Sequence, residues 1–377
     1  MNPPFLTPPC IRPATVLLAL LFAIPMLLIW SGEARAEVVV YVSESGDRRI
    51  AWFTLDEEEG TLRRSGELEL DGAPGPLEFS LDRRHLYAAV RTTRSFATLA
   101  VDPATGALTS LGSVEAAGSA PYLHAEPSGR WLLAAYYGEG LVSVSPLSPD
   151  GVLAGPPVTV LETGKKAHCI RTDPANRFAF VPHTGELNKV EQLRFDPENG
   201  SLVPNEPGQL QGGEGQGPRH LKFHPNGRWV YLVNEQGKSV TLCDYDAGRG
   251  TLSIRQTIST HPEGWDLAQG SCAEVQVSDD GRFLYASNRG HDSLAVFAIN
   301  PGDGELSAVD RTPTEKTPRS FHLLPPDQRY AVAAGQGSDA LALFRRDAES
   351  GLLERIATVP CGSSPAWVTA TVLEESQ

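Results

Sequence analysis

A short hairpin closed by an Arg-terminated turn recurs along this chain, and that recurrence constrains the fold more than any other feature. The turns are Asp82-Arg83-Arg84, Pro127-Ser128-Gly129-Arg130, Pro174-Ala175-Asn176-Arg177, Pro225-Asn226-Gly227-Arg228, Asp279-Asp280-Gly281-Arg282 and Pro326-Asp327-Gln328-Arg329. Each is followed by an aromatic or apolar run. Around the fourth turn, Leu221 and Phe223 before it and Val230 and Leu232 after it are apolar at period two, which predicts two antiparallel strands. A second set of turns punctuates the same units: Asp102 to Gly106, Asp196 to Gly200, Asn300 to Gly304 and Asp347 to Gly351. Each full unit therefore holds four strands.

The units begin at Pro76, Pro121, Ala167, Pro218, Cys272 and Pro318, about 45 to 54 residues apart. That period belongs to solenoids and propellers. Pro365 to Val372 matches only the first strand of a unit, whereas the stretch from Val38 to about Gly66 supplies only the last three. One plus three makes a seventh unit. The expectation is all-β: a seven-bladed β-propeller whose last blade is closed by the N- and C-terminal strands, so that no sheet edge is left open to aggregate. One domain, residues 37–377, accounts for the rest of the chain.

Residues 1–36 stand apart. Arg12 precedes an apolar run from Ala14 to Trp30, and Ala34-Arg35-Ala36 has the small-x-small form of a signal-peptidase site. We expect a signal peptide cleaved after Ala36, a mature chain beginning at Glu37 in the periplasm or outside the cell, and no stable membrane span thereafter. Cys10 would leave with the signal. Cys169, Cys243, Cys272 and Cys361 show no pairing or CxxC spacing and read as small buried residues. A net charge of -14 argues against a nucleic-acid partner.

Polar residues collect where the units begin and where their second strands end, positions that an antiparallel hairpin brings together at one mouth of the central channel. The beginnings supply Glu78, His124, His168, Arg219, His220, Glu274, Arg319 and His322. The ends supply Glu44, Arg91, Tyr136, Tyr137, His183, Asn234, Glu235, Asn288, Arg289 and Gln336. Arg219, Arg289 and Arg319 fall in three consecutive units, and their forks suit phosphate or carboxylate. Glu235 ends the strand paired with the one that Arg219 begins. The long connections Pro207 to Gly217 and Ile258 to Ser271 flank this place as a partial lid. His224 and Arg228 belong to the opposite mouth and read as solvated turn residues.

Gly217-Pro218-Arg219-His220, Tyr231-Leu232-Val233-Asn234-Glu235, the run Ser278 to Arg289 and Pro318-Arg319-Ser320-Phe321 resemble the β-propeller lactonase family. That family includes the bacterial cycloisomerase-type 6-phosphogluconolactonases and the fungal carboxy-muconate cyclases, and the resemblance runs from Glu37 to Val372. It implies a lactone hydrolase acting on a small-molecule sugar lactone without a metal or other cofactor. It marks His168, Glu235, Arg219 and Arg289 as catalytic, and places His220, Arg319, Asn288 and Gln336 beside them for substrate binding. His168 or Glu235 would be the base, and Arg219 and Arg289 would hold the oxyanion. Three alternatives remain open at this point. One is a lactonising cycloisomerase of the muconate type. Another is a Ca²⁺-dependent lactonase, for which no Asp/Asn cluster has suitable spacing. The last is a non-catalytic propeller binding a protein or glycan at the same mouth.

Overall fold

A computed structural model of the protein describes residues 37–373, together with Met1 and residues 3–5. The expected signal segment and its cleavage site lie almost wholly outside the described residues. The chain divides into two units, Met1–Arg35 and Ala36–Gln377. Among the described residues no helix is long and apolar enough to cross a membrane.

Seven four-stranded antiparallel sheets make up the second unit. The innermost strands, from the first blade to the seventh, are Pro74–Phe79, Tyr122–Ala125, Arg171–Thr172, Pro218–Phe223, Ser271–Val277, Pro318–Leu324 and Pro365–Val372. The seventh blade closes as the repeat count predicts. Val38 pairs with Val372 and Val42 with Val368, so the chain's two ends share one sheet.

Alternation builds the core. Second and third strands are buried on both faces, as in Trp229–Asn234, where every residue is buried, whereas outermost strands such as Thr251–Ser259 alternate with solvent. Aromatic residues on the second strands of the blades reach the next blade. Tyr41 Oη donates to Gly106 O at 2.7 Å, Tyr231 Oη to Gly304 O and Tyr285 Oη to Gly351 O at 2.8 Å, and Trp131 Nε1 to Pro197 O at 2.8 Å. These turn glycines are required by space as well as conformation. Gly304 has φ +81, and a Cβ there would lie 2.4 Å from the Trp229 ring.

Two expectations about the periphery need correction. Pro207 to Gln211 is not loop. The outer strand Ser201–Gln211 runs through it after a bulge opposite Glu191 and Leu193, and the Gln192 amide donates to Pro207 O. His224 is buried, not solvated. Its Nε2 donates to Gly281 O in the next blade at 2.9 Å, and its Nδ1 accepts from the Asn226 amide.

Candidate active site

Strand register sorts the channel-facing residues into tiers. Opposite the third position of the second strand in six blades stand Glu78, His124, Arg171, Lys222, Gln276 and His322, and Thr369, opposite Tyr41, completes the ring with one residue per blade. All seven line one cavity of about 480 Å³. Two residues earlier, on the same face by the period of a strand, come Tyr122, Cys169, His220, Glu274, Ser320 and Trp367. Tyr122, His220 and Trp367 meet across the axis, with ring centroids 4.9 Å apart for Tyr122–His220, 5.7 Å for Tyr122–Trp367 and 6.0 Å for His220–Trp367. They form a plug between the cavity and the other mouth.

One residue earlier still, period two would turn side chains away. It fails there because the register shifts between Pro218 and His220, between Cys272 and Val275, and between Pro318 and Ser320. A bulge re-aims the extra residue. In the fourth and sixth blades that residue is Arg219 and Arg319, and Arg219 lies alongside its own neighbour His220.

The mouth above the plug centres on Glu235. Arg219 Nε lies 3.1 Å from one of its carboxylate oxygens and Arg289 Nη2 3.3 Å from the other. Arg289 Nη2 also donates to Cys272 O at 2.8 Å. Arg319 has no carboxylate partner among the described residues. Burial lowers the Arg319 guanidinium to about 10, with Arg289 and Arg91 adding repulsion that Glu235 and Glu274 only partly offset, so it stays positively charged at neutral pH. Burial likewise lowers Arg219 to about 9, with Arg289 and Arg319 contributing.

Behind Glu235 runs a histidine relay. Arg219 Nη1 donates to Ala273 O at 2.5 Å and to His220 Nε2 at 3.2 Å. Because guanidinium can only donate, His220 Nε2 must carry the lone pair. The His220 proton is then on Nδ1, donating to Glu274 Oε2 at 3.1 Å. His168 Nδ1 lies 3.1 Å from the same His220 Nε2 and must also donate, which leaves its own Nε2 as the free lone pair. Burial first, and then Arg219, hold both His168 and His220 well below the ordinary imidazole value, so both rings are neutral at pH 7. Burial raises the Glu274 carboxyl, although Lys222 and Arg219 pull against it.

The residues expected at one mouth are thus divided. Arg219, His220, His168, Glu235, Arg289 and Arg319 come together. Arg219 and His220 are each only 1% exposed, so they support the mouth from below and do not face it as free ligands. Tyr137 presents its ring edge to His168 at 5.6 Å. Glu78, His124 and His322 lie three residues deeper, about 10 Å along the strands, in the cavity below the plug. Glu44 is locked between Arg49 and Arg64. His183 Nδ1 donates to Lys165 O at 3.1 Å within its own blade seam.

Asn288 and Gln336, expected beside the substrate, lie apart from the side chains that meet around Glu235. Asn288 is fully buried: its amide donates to Thr260 O and Ser293 Oγ, and its carbonyl accepts from Cys272 Sγ. It precedes Arg289 by one residue, and alternation turns it to the opposite face. The Gln336 amide points to Ser364 Oγ at 3.4 Å and is not among the side chains that meet around Glu235. The spacing arguments missed Glu274 as the anchor of the relay, and the Tyr122–Trp367 plug. Counting back from each turn along the strand would have found both, since they share one position in the repeat.

The description "Lactonase, 7-bladed beta-propeller" matches residues 38–370. The chain belongs to this lactonase family. A 6-phosphogluconolactonase of Pectobacterium carotovorum is 31% identical over 76% of this chain and 84% of its own length. A counterpart from Klebsiella pneumoniae is 32% identical over 75% and 84%. The solved periplasmic gluconolactonase of Pseudomonas aeruginosa superposes with a TM-score of 0.81 at 29% identity, covering 90% of this chain and 99% of that one. The protein is accordingly a lactone hydrolase.

Proposed function

We propose that this lactonase opens a sugar lactone at the mouth around Glu235, with His168 as general base and Arg289 and Arg319 facing the developing charge. The observation that carries this reading is the imbalance of the mouth: Arg219 and Arg289 hold the one carboxylate, Arg319 pairs with none among the described residues, and a neutral histidine with a free Nε2 stands beside them. Water attacks the lactone carbonyl carbon while His168 Nε2 takes its proton. The carbonyl oxygen becomes an oxyanion that Arg289 stabilises. Collapse breaks the ring C–O bond, and the proton on His168 passes to the departing alkoxide to give the hydroxy acid. A low basicity suits His168 at rest, and the negative charge of the intermediate offsets the arginine field as the proton arrives. Glu235 orients the water and Arg289 together. Arg219 is a positioning residue that fixes Glu235 and the tautomer of His220.

The substrate follows from compartment. The Ala34-Arg35-Ala36 site supports export, and the periplasmic gluconolactonase of Pseudomonas aeruginosa is a structural neighbour. We therefore favour an unphosphorylated aldonolactone over 6-phosphogluconolactone. Purified protein should hydrolyse glucono-lactone with the higher kcat/KM of the two, and mass spectrometry of protein from its host should find Glu37 at the N-terminus. A clear preference for the phosphorylated lactone, with an intact N-terminus, would reverse the assignment.

A further inference from the structure

The cavity below the plug is built from one residue per blade, yet nothing in the hydrolysis above uses it. Its ring carries Arg171 and Lys222 in adjacent blades. Among the described residues the Arg171 side chain hydrogen-bonds only to Tyr122 Oη, at 3.1 Å. Lys222 makes no ion pair among the described residues. Two carboxylates reach the cavity, and both are engaged. Glu78 sits 3.7 Å from His124 and accepts from the Ala125 amide, and Glu274 holds His220 and accepts from the Val275 amide. His124 is 6% exposed and lines the cavity; its Nε2 meets Thr172 Oγ1 at 3.1 Å, and its Nδ1 faces Glu78 Oε1 at 3.7 Å, beyond hydrogen-bond reach. Gln276 adds an amide at the same level. Burial and the nearby Arg171 lower the Lys222 ammonium to about 8, and the attraction of Glu274 and Glu78 offsets this only in part. The two histidines of the ring are lowered too, chiefly by burial, and so are neutral at pH 7. Arg171 and Lys222 therefore share the cavity with Glu78 and Glu274, both already engaged, and Arg83 adds a third positive charge where the cavity opens at the turn mouth.

We propose that this chamber is a second binding site, separate from the catalytic mouth, in which Lys222 and Arg171 hold a small oxyanion with His124 and Gln276 completing its hydrogen bonds. A guanidinium fork beside an ammonium suits the tetrahedral or planar oxygens of phosphate or carboxylate. The plug of Tyr122, His220 and Trp367 keeps this ligand from the mouth, so it enters from the opposite face of the propeller. Glu274 contacts both compartments, and it is the point through which occupancy below would be felt at His220.

Titration calorimetry of the full chain with inorganic phosphate, and in a second arm with gluconate, tests the site and separates a phosphate from a carboxylate ligand. Binding of either should weaken at least tenfold in Lys222→Met, survive in Lys222→Arg, and persist in Arg319→Ala. Crystals soaked in phosphate should show the anion between Lys222 and Arg171. Absence of binding in both arms overturns the proposal. So does binding that Arg319→Ala removes and Lys222→Met leaves intact, which would put the anion at the catalytic mouth alone. Should Lys222→Met fail to fold, the wild-type soak decides by itself. None of these readouts depends on lactone turnover.

Discussion

The two ends of the channel are made from the same seven strands and are both rich in cations, yet they differ in how the strand delivers its side chains. The lower ring obeys plain alternation, so each blade contributes one residue at one depth. The mouth departs from alternation: bulges push Arg219 and Arg319 into a space that regular strands would leave to every second residue, and the ends of neighbouring strands add Glu235 and Arg289. The lower ring is consequently near-symmetric, whereas the mouth is concentrated in the fourth to sixth blades. Repetition makes a container, and local breaks in repetition gather charged side chains at one mouth.

The most severe way to break the comparison is to remove what both ends share. Deleting the chain from Pro365 takes Trp367 from the plug and Thr369 from the ring, and it strips the inner strand from Val38–Glu44. Loss of soluble folding is expected, read as loss of a cooperative thermal transition. Within folded protein, the mouth should dominate activity. Arg289→Ala should lower turnover by about 10²–10³, the usual cost of one oxyanion donor. Arg228→Ala, whose exposed side chain covers Trp229 at the opposite face, should leave turnover at the wild-type level. Equal losses in both variants would show that the mouth has no special role.

Glu274 is where the two ends touch, and its removal sharpens the contrast less violently. Glu274→Ala frees His220 to change tautomer, so His168 loses its fixed proton. We expect kcat to fall about tenfold, a fraction of what general-base catalysis is worth, with KM little changed. The acid limb of the kcat profile should move as well, because the field around His168 changes. Glu274→Gln, which can still accept from Nδ1, should recover much of the loss. A purely structural role would lower the melting temperature without moving the pH limb.

How far the sequence discloses all this depends on which regularity is at work. Turn spacing disclosed the blade count and the one-plus-three closure, because each Arg turn and each Gly turn is fixed by local backbone chemistry. Arg219, Glu235 and Arg289 were legible together because hairpin pairing places a strand's start beside its partner's end. Depth along the channel was not legible in the same way. Glu78, His124 and His322 were grouped with His168, although three residues of rise separate the levels. Asn288 was taken with Arg289 although alternation parts them. The bulge at Arg219 depends on contacts from the next blade, Ala273 O among them, and no local pattern announces it.

The smallest expected effect concerns acid stability, and it too differs between the two ends. His322 in the lower ring is lowered to about 4, by burial first and then by Lys222 and Arg83. In the unfolded chain its imidazole would return to about 6.5. Between those values the unfolded chain binds the proton and the folded chain does not, so stability decreases as pH falls from about 6.5 towards 4 and is level above that window. Each such group contributes at most about 1.4 kcal/mol per pH unit. At the mouth, Arg219 and Arg319 are lowered only to about 9 and about 10, so they stay charged throughout this range and add no slope. The raised carboxyl of Glu274 opposes the trend, since it takes up its proton more readily in the folded state. Comparing wild type with His322→Gln cancels that opposing contribution and those of the other buried histidines. Melting temperatures recorded from pH 7.5 to pH 5 should fall less steeply for His322→Gln, with the two proteins diverging only below about pH 6.5. Parallel curves would mean that His322 is hydrated or paired in the folded protein, and would weaken the view of the lower ring as a cation-rich chamber.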